Sequence, residues 1–345
     1  MSRMRRLLAA LLLSTAFSSP VFAQDTPAAV PDSTAWKFKG VALINASQSA
    51  YSSNWTGGDQ GNWVWVARFD GSAEKQVSKS FNLLNQLVVA YGQTGRQQPD
   101  PTAPGQRIWD SPDKTTDQIM FESVGRFTLG AFADPYAALR MDTQFLDQSQ
   151  PNGTLNLTPI RIKISAGLAK VLIKNPDTEV ISRLGLGGRI TTGTMFTELP
   201  PSTVTQGYTN TDAGIEWVTT AVTPLLAKKV LYKGTLSFFQ PFMYSQADAL
   251  KDYDEVATAF EPGHIAIADY WKVADINFEN TFTAKITENL GVELMAQLIY
   301  NKFDSQGNID VTTAPDVLVP QVQRNVRLAG QFRQTLALSL SYRIF

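Results

Sequence analysis

The stretch that decides the fold is Gln331–Phe345, Q-F-R-Q-T-L-A-L-S-L-S-Y-R-I-F. Its even positions hold Phe332, Gln334, Leu336, Leu338, Leu340, Tyr342 and Ile344. Its odd positions hold Arg333, Thr335, Ala337, Ser339, Ser341 and Arg343. A period of two makes a strand with one apolar and one polar face. Alternation alone also suits the last strand of a soluble β-domain in the periplasm, so the rest of the chain must arbitrate.

The other end reads as an export signal. Arg3, Arg5 and Arg6 precede the apolar run Leu7–Phe17, which is too short to span a bilayer as a helix, and Val21-Phe22-Ala23 ends on a small residue. The expected division is a signal peptide over 1–23, a flexible leader over 24–35 and a single domain over 36–345. With no Cys after the apolar run, lipoprotein anchoring is excluded. No later stretch reaches about 18 consecutive apolar residues. A chain that enters a membrane without helices must close a barrel, because lipid cannot satisfy an open sheet edge.

Thirty basic residues stand against 31 acidic ones, and the three signal arginines are among the basic. That mildly acidic balance offers no electrostatic footprint for nucleic acid. The absence of Cys fits an exported protein without disulfides and many cytosolic ones alike.

Outward from the terminal stretch, twelve strand-like segments can be read: 36–51, 62–69, 79–91, 115–127, 136–146, 159–174, 180–191, 211–222, 228–244, 268–283, 289–303 and 331–345. Asp70-Gly71-Ser72 reads as a turn, and a register shift is expected near Ala169. Long polar loops are expected over 92–114, 192–210, 245–267 and 304–330. Connections after odd strands are long and those after even strands are short. A soluble sandwich has no reason to sort its loops by parity. The prediction is an all-β fold, a twelve-stranded transmembrane antiparallel up-and-down barrel with both termini periplasmic. Aromatics near the strand ends fit interfacial belts.

A terminal alternating strand closing on an aromatic resembles the final strand of bacterial outer-membrane barrels. In those, residues such as Tyr342 and Phe345 signal to the insertion machinery. N-W-T-G-G (Asn54–Gly58), K-T-T-D-Q (Lys114–Gln118), L-I-Y-N-K-F-D (Leu298–Asp304) and the closing strand together resemble the outer-membrane β-barrel family of unknown function common in Bacteroidota. The resemblance implies a location in the outer membrane and a barrel fold, with lipid and the insertion machinery as partners. It implies no activity. The chain departs from the family pattern at Gln118 and Asn301, where that pattern has acidic residues.

The inward face carries the chemistry. Arg126, Arg140, Arg161, Lys163, Arg183 and Arg189 should point into the lumen from the fourth to seventh strands. Asp212, Glu216, Asp275, Glu279 and Glu293 should do so from the eighth to eleventh. A basic wall facing an acidic wall across a water column would orient small solutes. The same charges could instead form a salt-bridge network that fills the lumen. The expected function is therefore a narrow channel for small polar or charged solutes. The alternative is a closed barrel with a structural or partner-binding role, and a hydrolase is the remote third.

No cofactor or metal is expected. The single histidine, His264, falls in a loop and reads as a solvated residue rather than a catalytic base. Asp248, Asp252, Asp254, Glu255 and Glu261 share that loop, but their spacing matches no calcium-loop pattern.

Overall fold

The computed structural model describes residues 35–52, 59–103, 106–198 and 200–344. The export signal, most of the leader, the Asn54–Gly58 motif and Phe345 fall outside them.

In chain order the strands are β1 (Lys37–Ser49), β2 (Asn62–Ser78), β3 (Phe81–Pro99), β4 (Arg107–Trp109), β5 (Asp113–Phe127), β6 (Asp134–Thr143), β7 (Leu146–Asp147), β8 (Leu155–Asn156), β9 (Ile160–Lys174), β10 (Glu179–Phe196), β11 (Thr205–Leu225), β12 (Val230–Tyr244), β13 (Asp275–Lys285), β14 (Leu290–Tyr300) and β15 (Gln331–Arg343). Three of these belong to loops: β4 extends the end of β3, and β7 pairs with β8. The remaining twelve pair antiparallel with their chain neighbours. β1 pairs with both β2 and β15, and β2 with β3, so the ring closes without a free edge.

The alternation of β15 sets the two faces. Leu336, Leu338, Leu340 and Tyr342 are each more than half exposed, while Ser339 between them is buried. Ile164, Leu184, Leu186, Ile215, Trp217 and Leu298 continue the exposed apolar surface around the ring. A belt of this extent needs an apolar solvent. Short turns join the barrel strands at one end, for example 79–80, 175–178 and 226–229; long connections gather at the other.

Two of the long connections contain helices, which replace the expected loops. α1 (Ala247–Phe260) places Leu250, Tyr253 and Ala257 on one face at helical spacing. They pack on Leu318, Val319 and Val322 of α2 (Pro315–Gln323), together with Tyr244, Ile267 and Phe303. Pro315 opens α2 where no intrahelical donor is needed. Of the five largest fully buried side chains, Tyr253, Leu250, Leu318 and Val322 sit in this cap. The aliphatic ones each contribute about 1.5–3 kcal/mol by leaving water, so the cap at the mouth has the packing of a small soluble core.

Several boundaries differ from the sequence reading, and each difference has a local cause. Asp70-Gly71-Ser72 is strand rather than turn. Asp70 accepts from Arg68 at 2.8 Å, and a side chain at Gly71 would meet the Phe69 ring at 2.8 Å. Beyond Tyr91, β3 continues to Pro99. Gly95, inside the expected 92–114 loop, lies under the Trp63 ring, where any side chain would collide at about 2.6 Å. β10 and β11 also run on through 192–196 and 205–210, with Thr192 Oγ1 hydrogen-bonded to Thr209 Oγ1. The register shift in β9 falls at Leu172, since Val180 pairs with Ile173 and Ile181 with Val171.

The belt makes a prediction for folding into lipid vesicles. Leu336→Arg, on the outer face, should cost about 2–4 kcal/mol if it sits near the bilayer midplane. Thr335→Lys, one residue earlier and facing inward, should leave the urea midpoint nearly unchanged. Equal losses for both would refute the assignment of faces.

Candidate functional site

Closing the ring turns every second residue of twelve strands toward a shared bore, and the charges there must find partners or water. Lys163 on β9 forms an ion pair with Glu216 on β11. Arg189 on β10 bridges Asp212 at 2.7 Å and Asp275 on β13, with its guanidinium 3.9 Å from the centre of the Phe239 ring. Arg183 reaches Glu122 at 2.8 Å, and Arg140 holds Asp142 at 2.7 Å. Arg126 lies 4.0 Å from Asp134, and Arg68 pairs with Asp70 at 2.8 Å.

These contacts correct the picture of two uniform walls. Asp212 and Glu216 lie on β11, next to the basic strands, and pair with them along the sheet. Arg140 takes Asp142 rather than a carboxylate of the far wall. Of the carboxylates expected on the inward face, Glu279 and Glu293 have neutral hydrogen-bond partners instead. Glu279 accepts from Asn277 at 2.9 Å and Gln297 at 3.0 Å. Glu293 accepts from Thr283 and lies within electrostatic reach of Arg68 and Asp70.

Arg161 has a different role. Its guanidinium donates to both carboxylate oxygens of Asp304, at 2.8 and 2.9 Å. Asp304 follows β14, which stands across the ring from β9, with four strands between them one way and six the other. The segment 303–309 therefore crosses the mouth as a strap. Asn210 of β11, 1% exposed, donates to the backbone oxygens of Ser305 at 3.0 Å and Gly307 at 2.7 Å. Gln246 Nε2 in turn donates to Asn210 Oδ1, and Gln246 Oε1 accepts from Ile309 N at 2.8 Å. Behind the strap, Asp304 N donates to Asn325 O, and Gln321 Nε2 reaches Phe196 O at 3.2 Å. The strap thus joins the cap to β9, β10 and β11.

Two cavities flank it. One of about 550 Å³ lies against the β5–β6–β9 wall and is lined by Lys114, Asp117, Asp142, Asp147, Arg161 and Asp304, among others. The other, about 220 Å³, lies between the strap, Met195, Tyr208 and the end of α2; Arg324 and Arg327 line it. Burial pushes Arg324 below the ordinary arginine range.

His264 is not solvated. Its side chain is 4% exposed, Nε2 hydrogen-bonds Asp254 Oδ1 at 2.9 Å, and its ring stands edge-on to Tyr253. Asp254 also accepts from the backbone of Ile267 and Ala268, at 2.9 and 2.8 Å. Burial, with Asp254 nearby, pushes the Tyr253 hydroxyl up to about 12. This arrangement ties the end of α1 to the chain that follows it. Among the described residues, no group of three or more His, Asp or Glu is placed to hold a metal ion. Tyr342 stands on the outer face, two-thirds exposed.

Sequence reading missed the strap and the cap. The spacing of Leu250, Tyr253 and Ala257 was the available signal for α1. Nothing local marks the bond from Asp304 to Arg161 or those from Asn210 to the strap carbonyls, which span 143 and 95 or more residues.

No family model matches the sequence, and no curated protein matches it. Among solved structures, the translocator domain of autotransporter NalP from Neisseria meningitidis is similar at a TM-score of 0.34 and 6% identity, covering 89% of this chain and 87% of that one. An outer membrane channel from Pseudomonas putida F1 is similar at 0.34 and 11% identity, covering 90% and 98%. The NanC porin is similar at 0.31 and 10%, covering 88% and 98%. The strand pairing, not these likenesses, establishes the closed barrel.

Asn210→Ala removes the donor for two strap carbonyls, a local loss of about 1–3 kcal/mol for each group left buried without a partner. Limited proteolysis should then cut within 304–310 faster than in the unaltered chain, while the barrel strands stay protected. Unchanged cleavage would mean that Asn210 does not hold the strap.

Proposed function

We propose that the chain is an integral outer-membrane β-barrel that acts as a narrow channel for small polar or charged solutes. One observation carries the reading: several inward charges are open to solvent as well as paired, while others such as Arg183, Glu122 and Glu216 are covered. Asp70, Asp142, Lys163 and Arg189 keep 24–35% of their side chains exposed. A salt-bridge plug would cover such groups, because a charge in a dry interior without full compensation costs several kcal/mol. The larger cavity beside the strap is lined by Asp142 and Arg161, so it opens onto this same charged wall. Solutes pass beside the strap, which narrows the entrance.

Location belongs to the same proposal. The exposed apolar belt supports a lipid environment, and the expected export signal supports the outer membrane. In this reading the short turns and both termini are periplasmic, the cap is extracellular, and Tyr342 with Phe345 addresses the insertion machinery. The family resemblance of the quoted motifs fits that placement. We read no catalysis into the chain, since His264 is occupied by Asp254 and covered by Tyr253.

A second reading, a closed barrel that is structural or binds a partner through its cap, draws on the strap itself, which lies across the mouth. Planar-bilayer recording of the refolded barrel separates the two. Discrete conductance steps are expected. Asp304→Asn, which removes the charge that holds Arg161, should make them larger or more frequent. A bilayer silent with both proteins, each shown to be folded by heat-modifiable migration, would establish the closed barrel instead.

A further inference from the structure

We propose that the solutes of this channel are small zwitterions, carrying a carboxylate and an ammonium, and that the bore selects them between the row Arg140–Lys163–Arg189 and Glu279. The proposal rests on the channel reading above and names its solute class.

The row is set by strand register. Arg140 on β6 stands directly opposite Lys163 on β9, and Lys163 directly opposite Arg189 on β10. Like charges directly opposite on adjacent strands destabilise a sheet. The sheet holds them because each cation has at least one carboxylate, Arg189 having two, yet the carboxylates that pair with the β9 and β10 cations are less exposed than the cations themselves. Lys163 is 24% exposed against 4% for Glu216, and Arg189 is 27% exposed against 7% for Asp212 and 19% for Asp275. Water in the bore therefore meets ammonium and guanidinium groups first. At β6 the acid, Asp142, is the more exposed partner, and there another cation, Arg161, stands directly opposite it.

Glu279 supplies the other pole. It lies on β13, with four strands between it and β6 one way and six the other. Its carboxylate is hydrogen-bonded to two neutral amides, and among the described residues it has no ion-pair partner. It lies within electrostatic reach of Arg140 across the bore and of Arg68. A row of cations facing a locally uncompensated carboxylate sets up a transverse field. A solute of single charge is attracted to one wall and repelled from the other. A zwitterion is attracted at both ends and crosses without carrying net charge.

The test uses the full barrel in phosphatidylcholine proteoliposomes. Swelling rates are compared for β-alanine, a zwitterion, its neutral isomer lactamide, and lactate. β-Alanine is expected to enter fastest. Arg140→Gln and Glu279→Gln should each erase its advantage over lactamide, and should shift the chloride-to-potassium reversal potential in opposite directions. Both changes are mild for folding: Asp142 keeps its water, and the amides around Glu279 can bond a glutamine. Lactamide or lactate entering as fast as β-alanine in the unaltered protein would overturn the solute class while leaving a channel. No swelling with any solute, from a barrel that still shows heat-modifiable migration, would overturn the channel reading and this proposal with it.

Discussion

Closing the sheet commits every second side chain of twelve strands to a space bounded on all sides by the same sheet. The outer residues answer to one solvent and the inner residues to another, and no edge remains through which either set could escape. From this follow the exposed leucines of β15 and the paired charges of β9 to β13. A one-residue slip in any strand would exchange the two sets. Register is therefore fixed most firmly where an inward charge meets an inward partner, as with Arg189 between Asp212 and Asp275.

The alternation in Gln331–Phe345 and the parity of the connections made the closed barrel legible, because both are consequences of a two-residue period and of hairpin closure. The strand ends were not legible at glycines. Gly71 and Gly95 look like breakers in one dimension, whereas in three they make room for the Phe69 and Trp63 rings. The charges on the polar faces of the strands were legible from the alternation alone. Their partners were not, because pairing depends on which strands become neighbours and on how far a long side chain leans along the wall. Arg140 chose Asp142, two residues on, over any carboxylate across the bore.

The cap was least legible, although its physics is the most ordinary. Barrel strands turn an exposed apolar face outward and a charged, polar face inward, so they offer little ground for a close-packed apolar core. The mouth does, and there Leu250, Tyr253, Leu318 and Val322 are packed as in any soluble domain. A long polar loop and a helix that buries only three residues per face have nearly the same composition. Only the 3.6-residue period separates them, and over 14 residues that signal is short.

Cap and bore are joined through the strap, and the join is asymmetric. On the cap side it is held mainly by hydrogen bonds and apolar packing, which are short-ranged and change little with salt, with the Arg327 guanidinium farther off at 4.0 Å from Asp304. On the barrel side it is held by Asn210 and by Arg161, whose guanidinium is nearly half exposed. An ion pair that meets water is weakened by screening and by competing ions far more than a buried one is. The weakest hold on the strap is thus its contact with the charged wall, at the place where an entering ion or solute would first meet that wall. In the proposed channel, the element that narrows the mouth is under the influence of whatever charge arrives there.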